Sequence, residues 1–114
     1  SGVLTSGTPV ATGASSTDFT ITDGNGLFLY ERNSADGIYV HSINQSTKAL
    51  GAAASVTTGT RFATESTGQF LFVTSGSTVT VNTIHRTTGA VTSVSTAAIP
   101  GSNVGAITVA EVPQ

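Results

Sequence analysis

The chain has 114 residues, enough for one domain, and its four basic and six acidic residues give a net charge of −2 at pH 7. So few positive charges exclude a basic surface for nucleic acid, and the absence of cysteine excludes disulfides and thiolate metal sites. No apolar run approaches the roughly 20 residues that cross a bilayer as a helix, so no membrane contact is expected. The 14 serines, 21 threonines and 13 glycines favour strands and turns and predict an all-β fold.

Residues 18–57 contain four short apolar runs separated by clusters of Gly, Asn, Asp and Ser. The runs predict strands at Asp18–Thr22, Leu27–Tyr30, Gly37–Asn44 and Ala49–Thr57. The second run is apolar at every position and is therefore predicted to be buried on both faces. The fourth run is rich in small residues, which suits an outer edge.

Residues 61–99 repeat this order, with strands predicted at Arg61–Glu65, Phe70–Val73, Thr78–Arg86 and Ala90–Ile99. Gly26–Tyr30 aligns with Gly68–Phe72 at a shift of 42 residues, and Ile38–Val40 aligns with Val79–Val81 at a shift of 41. One unit is therefore about 42 residues long.

The repeat makes two predictions about side chains. Phe28 and Phe70, like Tyr30 and Phe72, are expected in equivalent places between stacked sheets. Ile43 and Ile84 each interrupt the alternation of the third strand, which predicts a bulge or a twist at both positions.

The two ends are predicted to hold parts of further units. Residues 1–13 match the fourth strand and the linker that follows it. Residues 103–114 match the start of a first strand. The predicted organisation is an outer strand and linker at 1–13, one blade at 18–57, a second at 61–99, and the start of another at 103–114.

Four antiparallel strands in each unit of about 42 residues, with a doubly buried second strand, are typical of the blade of a β-propeller. A β-sandwich is an alternative that also accommodates many short strands. A sandwich does not account for landmarks that keep their register over four strands, so propeller blades are the favoured interpretation.

The repeat also resembles the blades of seven-bladed lactonase-like propellers, the YVTN-repeat family. The matching motifs are Phe28-Leu29-Tyr30-Glu31-Arg32-Asn33 with Thr47-Lys48-Ala49-Leu50, and Phe70-Leu71-Phe72-Val73-Thr74-Ser75 with Thr88-Gly89-Ala90-Val91. Ser75 stands where the family pattern has Asn, and Lys48 stands where it has Gly. No catalytic residue of the family can be assigned to a position in this chain.

Two and a half blades cannot close a propeller, so the chain is expected to need partner blades. These are either copies of itself in a homo-oligomer or other propeller fragments. Two classes of function follow: a scaffold or interaction module, which we favour, and a segment of a lactonase-like hydrolase acting on sugar lactones. We expect no catalysis by this chain alone and no cofactor. The low charge and high Ser and Thr content favour an exported or extracellular protein of bacterial type.

Few side chains are candidates for chemistry. His41 and His85 lack the spacing of a zinc site and are expected to be exposed strand residues. The sequence Asp-Gly-Asn-Gly at 23–26 lacks the ligands of a calcium loop and fits a tight hairpin turn. No metal site is therefore predicted.

Carboxylates and one asparagine complete the candidates. Asp18, Glu31 and Glu65 are separated along the chain and form no predicted acid–base pair, although Asp18 can line a central channel. Asn44-Gln45-Ser46 fits the acceptor pattern for N-glycosylation in the turn before the fourth strand.

Overall fold

The structure, a computed structural model, describes residues 3, 7–13, 17–33, 35–99 and 107–110, with the side chains of 17–19 left out. The described residues are all-β, with no helix, and form two four-stranded antiparallel sheets. The first sheet contains β1 (Thr17–Thr22), β2 (Phe28–Asn33), β3 (Gly37–Ser42) and β4 (Ala54–Thr58), in that order. The second contains β5 (Arg61–Thr64), β6 (Phe70–Ser75), β7 (Thr78–Ile84) and β8 (Val91–Ala98).

The pairing confirms the predicted repeat. Leu29 pairs with Thr22 in the first sheet and Leu71 with Thr64 in the second, so the shift is 42 residues on both strands. Tyr30 pairs with Val40, and Phe72 pairs with Val81, which gives the shift of 41 on the third strand. The fourth strands, β4 and β8, lie at sheet edges as predicted.

The bulges are not at the predicted isoleucines. Ile84 pairs regularly with Val91, and Ile43 forms a bridge to Leu50. The extra residues are instead Asp18 on β1, Val56 on β4 and Val94 on β8. Ile84 breaks the alternation because it lies on the opposite face of β7 from Val81, where it is buried in the core, so the strand has apolar residues on both faces without a bulge.

The two sheets stack face to face through one hydrophobic core. Its buried residues are Phe28, Tyr30, Ile38, Val40, Phe62, Leu71, Val73 and Ile84. The rings of Tyr30 and Phe62 meet edge to face, with their centroids 6.4 Å apart. Four of these residues come from each unit, so neither sheet has a complete core of its own.

Hydrogen bonds between the sheets join equivalent residues of the two units. The Thr64 hydroxyl donates to the carbonyl oxygen of Thr22 at 2.9 Å, and the Asn25 side-chain amide donates to the carbonyl oxygen of Thr67 at 2.8 Å. Both pairs are 42 residues apart, one repeat. The second sheet therefore stacks on the first in phase, with β1 beside β5 and the first turn of one unit beside the first turn of the next.

The predicted partial units at the ends have no strand among the residues that the structure describes. Residues 3 and 7–13 lie in no strand, and neither do residues 107–110. A strand requires a neighbour with which it can pair, and neither segment lies in a ladder with the described strands. The remaining parts of both predictions, at residues 1–2, 4–6, 103–106 and 111–114, fall outside the described residues.

Candidate functional site

The face of the first sheet that meets the second sheet is fully covered. Phe28, Tyr30, Ile38 and Val40 form this face, which we name the covered face, and each is at most 3% exposed. Phe62, Leu71, Val73 and Ile84 of the second sheet pack against it. Because each unit contributes a different side of its sheet, the contact joins two non-equivalent faces.

A buried hydrogen bond fixes the position of one sheet against the other. The Tyr30 hydroxyl donates to the carbonyl oxygen of Gly89 at 2.8 Å, and Tyr30 is fully buried. Desolvation by burial, with the nearby Asp23 carboxylate, raises the pKa of the Tyr30 phenol well above its ordinary value. The phenol therefore stays protonated and acts as a permanent donor.

Tyr30→Phe is expected to lower the free energy of unfolding by about 1–2 kcal/mol, because the Gly89 carbonyl loses its buried donor. The equivalent Phe72→Tyr adds a hydroxyl on a partly exposed face and is expected to change stability by less than about 0.5 kcal/mol. Urea denaturation of both variants checks this. Equal effects of the two substitutions would contradict the assigned contact.

The equivalent face of the second sheet is not covered in this way. Phe70, Phe72, Val79 and Val81 form this face, which we name the open face, and all four are only partly buried. The Phe70 and Phe72 rings lie 6.5 Å apart, centroid to centroid. The expectation that Phe70 and Phe72 share the environment of Phe28 and Tyr30 is therefore wrong, because the described residues provide no third sheet to cover them.

A buried carboxylate–imidazole pair lies on the other side of the first sheet. Glu31 Oε2 and His41 Nε2 are 2.5 Å apart, and both side chains are 2% exposed. The remaining ring nitrogen, His41 Nδ1, lies 2.8 Å from the carbonyl oxygen of Gly51. His41 was predicted to be exposed, and this prediction is wrong because the Glu31 carboxylate and the Gly51 loop lie against its ring.

Strand register brings the pair together. Leu29 pairs with His41 and Glu31 with Tyr39, so Glu31 and His41 are diagonal neighbours on one face of the sheet. The sequence did contain a signal for this pair. Glu31 continues a strand whose preceding residues are all apolar, and His41 lies two positions away along the ladder on the next strand. Spacing along the chain alone does not reveal such a pair.

Residues 7–13, which we name the strap, contact this pair through Gly13. The Gly13 amide donates to Glu31 Oε1 at 2.9 Å, and a side chain on Gly13 would collide with the Tyr39 ring. A cavity of about 340 Å³ lies beside the strap, lined by residues 10–13, Tyr39, Ala52 and Ala53. Its lining carries no Asp, Glu, His, Lys or Arg side chain, and its polar side-chain groups are the hydroxyls of Thr12 and Tyr39.

Asp23 and Glu65, one repeat apart, close the first turn of each unit. Asp23 Oδ1 accepts hydrogen bonds from the amides of Leu27 at 2.7 Å and Phe28 at 2.9 Å. Glu65 Oε1 accepts from the amides of Gln69 at 2.7 Å and Phe70 at 3.1 Å. Both carboxylates therefore stabilise turns, as the hairpin interpretation of residues 23–26 predicted.

The Glu65 carboxylate predicts a loss of stability in acid. Desolvation opposes its ionisation, but hydrogen bonds from the Thr67 hydroxyl and from the turn amides lower the pKa of Glu65 below its ordinary 4.5. A lowered pKa stabilises the folded state above about pH 4.5, and this contribution is lost as the pH falls through the lower folded value. Glu65→Gln is expected to flatten the dependence of Tm on pH below 4.5, and an unchanged slope would contradict the assignment.

The turn between the third and fourth strands has the same conformation in both units, although different side chains accept the hydrogen bonds of its amides. Asn44 Oδ1 accepts hydrogen bonds from the amides of Ser46 and Thr47, both at 2.9 Å, and exposed His85, 41 residues later, accepts through Nδ1 from Thr87 and Thr88. Asn44 is exposed, and a glycan on its Nδ2 would leave the accepting oxygen in place. The described side chains do not include that of Asp18, so its predicted place in a channel lies outside them.

Lys48 and Gly89 occupy the same place in these turns, with φ of 62° and 76°. Lys48→Gly is expected to raise the free energy of unfolding by about 0.5–1 kcal/mol, because it relieves a left-handed non-glycine residue. Gly89→Ala is expected to lower it by about 1–3 kcal/mol, since a Cβ there would lie 2.8 Å from Phe28 and Val40. Thermal unfolding of both variants checks this prediction. Changes of the same sign in the free energy of unfolding would contradict it.

The described residues contain no group of three or more His, Asp or Glu side chains that could hold a metal ion. Within the same ranges, no helix is long and apolar enough to cross a membrane. Neither the models of known protein families nor the curated proteins gave a match for this chain.

Proposed function

We propose that this chain is a two-blade segment of a β-propeller, and that it serves as a scaffold or interaction module completed by further blades. One observation carries the proposal: the second sheet stacks on the first in phase, so that Thr22 bonds Thr64 and Asn25 bonds Thr67. Stacking of this kind is open-ended, because each unit covers its predecessor and presents the same kind of face to a successor.

The two faces of the stack support blades over a sandwich. A two-layer sandwich buries the inner face of each sheet and leaves the outer faces to solvent, with polar residues alternating outward. Here the outward face of the second sheet has Phe70, Phe72, Val79 and Val81, the counterparts of four core residues. An outward face of core composition is expected of a blade that awaits its neighbour.

A hydrolase segment receives less support from the geometry. Glu31 and His41 are the one carboxylate–imidazole pair in hydrogen-bond contact among the described residues, and their side chains are 2% exposed beside the strap. A general base has to reach the proton that it removes. Buried as it is, this pair supports the local structure rather than catalysis.

Two measurements on the purified chain test the proposal. Incubation with sugar lactones is expected to give no hydrolysis above buffer, and turnover that Glu31→Gln abolishes would favour the hydrolase instead. The folded chain is also expected to bind a hydrophobic fluorescent dye through the open face, with binding reduced by Val79→Thr and Val81→Thr. Dye binding that is unchanged in this double variant would contradict an available apolar face.

A further inference from the structure

The contact between the two sheets defines what a partner of the open face has to provide, if the proposed function holds. The covered face is met by an aromatic ring at Phe62, an aliphatic side chain at Val73 and a glycine at Gly89. The glycine matters because a Cβ at that position would lie 2.8 Å from both Phe28 and Val40. Phe70 and Val81 hold the places of these two residues on the open face.

A second copy of the chain would have to use the outer side of its first sheet for such a contact, and at Glu31 and His41 that side already lies against Gly13 and Gly51. By strand register, the residues there that hold the places of Phe62, Val73 and Gly89 are Thr20, Glu31 and Lys48. Leu29 and Ile43 match Leu71 and Ile84, so this side keeps part of an apolar surface. The three other positions, however, all differ in size or polarity.

Lys48 opposes self-stacking by shape. It is exposed, and its left-handed backbone follows that of Gly89. In a head-to-tail pair with the geometry of the internal interface, the Cβ of Lys48 would take the place of a Cβ on Gly89. It would therefore lie too close to Phe70 and Val81 of the other copy, which hold the places of Phe28 and Val40. Lys48 therefore keeps the open face of another copy at a distance.

Glu31 and Thr20 oppose self-stacking by chemistry. Glu31 is bound to His41 and to the Gly13 amide, so the place that Val73 fills with a methyl surface holds a carboxylate. Thr20 is exposed and is too small to reproduce the ring of Phe62 against Tyr30. A second copy would leave a gap opposite Phe72 at Thr20 and a polar group at Glu31 elsewhere on the same face, both of which cost free energy.

We propose that the open face is the docking surface for a further β-sheet unit that is not a second copy of this chain. The partner has an aromatic residue, an aliphatic residue and a glycine at the places of Phe62, Val73 and Gly89. Self-stacking is excluded by Lys48, Glu31 and Thr20. Specificity therefore comes both from the fit of the partner to the open face and from the poor fit of the first sheet's outer side to it.

A donor variant tests this partner chemistry with the chain itself. It gives the first sheet the outer residues of the second through Thr20→Phe, Glu31→Val, His41→Asn and Lys48→Gly, which copy Phe62, Val73, Asn82 and Gly89. Sedimentation at micromolar concentration is expected to show a monomeric wild type and a donor variant that associates about tenfold more tightly or better. Adding Val81→Lys to the donor variant, on the open face, is expected to restore the monomer.

Two results would overturn the inference. If the wild type forms oligomers that Val81→Lys dissociates, a second copy is the occupant of the open face. If the donor variant has a native circular dichroism spectrum and stays monomeric, Thr20, Glu31 and Lys48 are not the residues that prevent self-stacking. If the donor variant does not fold, Lys48→Gly alone is measured, and association no stronger than that of the wild type would count against the proposal. None of these results alters the stacking within one chain, which the Tyr30 and Phe72 variants test separately.

Discussion

Phe28→Ala is expected to lower the free energy of unfolding by about 3–5 kcal/mol, because Phe28 is 3% exposed between the sheets and its removal leaves a cavity. The equivalent Phe70→Ala is expected to cost only about 1 kcal/mol, since Phe70 lies on the partly exposed open face. Urea denaturation, with comparable m-values for both variants, gives the two numbers. Their difference measures how much the covering sheet contributes at one position of the repeat.

Two other results of this comparison would each contradict the structure. Similar losses above 3 kcal/mol at both positions would mean that the open face is covered in the isolated chain. Losses near 1 kcal/mol at both would mean that the sheets do not pack against each other. Phe28 and Phe70 are suited to the comparison because the same residue type occupies one place in each unit.

Glu31→Ala is expected to lower the free energy of unfolding by about 2–5 kcal/mol, because the buried His41 Nε2 and the Gly13 amide both lose their hydrogen-bond partner. The double variant Glu31→Val and His41→Asn reproduces the residues of the second unit, Val73 and Asn82. It is expected to cost less than the single change, since replacing both members of a buried hydrogen-bonded pair leaves neither without its partner.

Chemical denaturation of the single and double variants at pH 7 measures this coupling. If the single variant is as stable as the double variant or more stable, the paired burial of Glu31 and His41 is contradicted. Tyr39→Ala serves as a control for the strap, because Tyr39 contacts Gly13 without joining the pair.

The strands and the repeat were predictable because they depend on short-range signals. Turn residues such as Gly26 and Gly68, both with positive φ, separate apolar runs of strand length, and this punctuation occurs twice. The pairing of Thr22 with Leu29 and of Thr64 with Leu71 follows from those turns. Local chemistry therefore determines which strands form and in which register.

The environments of repeated residues were not predictable from the repeat. Phe28 and Phe70 are equivalent in sequence and in register, yet only Phe28 is buried. Burial depends on what lies beyond a sheet, and the repeat does not specify this for the second unit. The same reasoning explains Ile84, whose break in alternation reflects its place on the face of β7 that is buried against the first sheet rather than a bulge.

The Glu31–His41 pair was missed for a related reason. A search for catalytic or metal-binding spacing examines neighbours along the chain, whereas these residues meet diagonally across a ladder. Glu31 is further contacted by the strap, which lies in no strand and has no periodic signal. Strand register, applied after the elements were assigned, is the step that would have found the pair.

The in-phase stacking of two equivalent sheets is most directly tested by nuclear Overhauser effects between side chains of the two units. The structure predicts cross-peaks from the Phe28 ring to the α-protons of Gly89, and between the rings of Tyr30 and Phe62. The contradicting result is the absence of these cross-peaks in a sample that still shows the ladder contacts of Tyr30 with Val40 and of Phe72 with Val81.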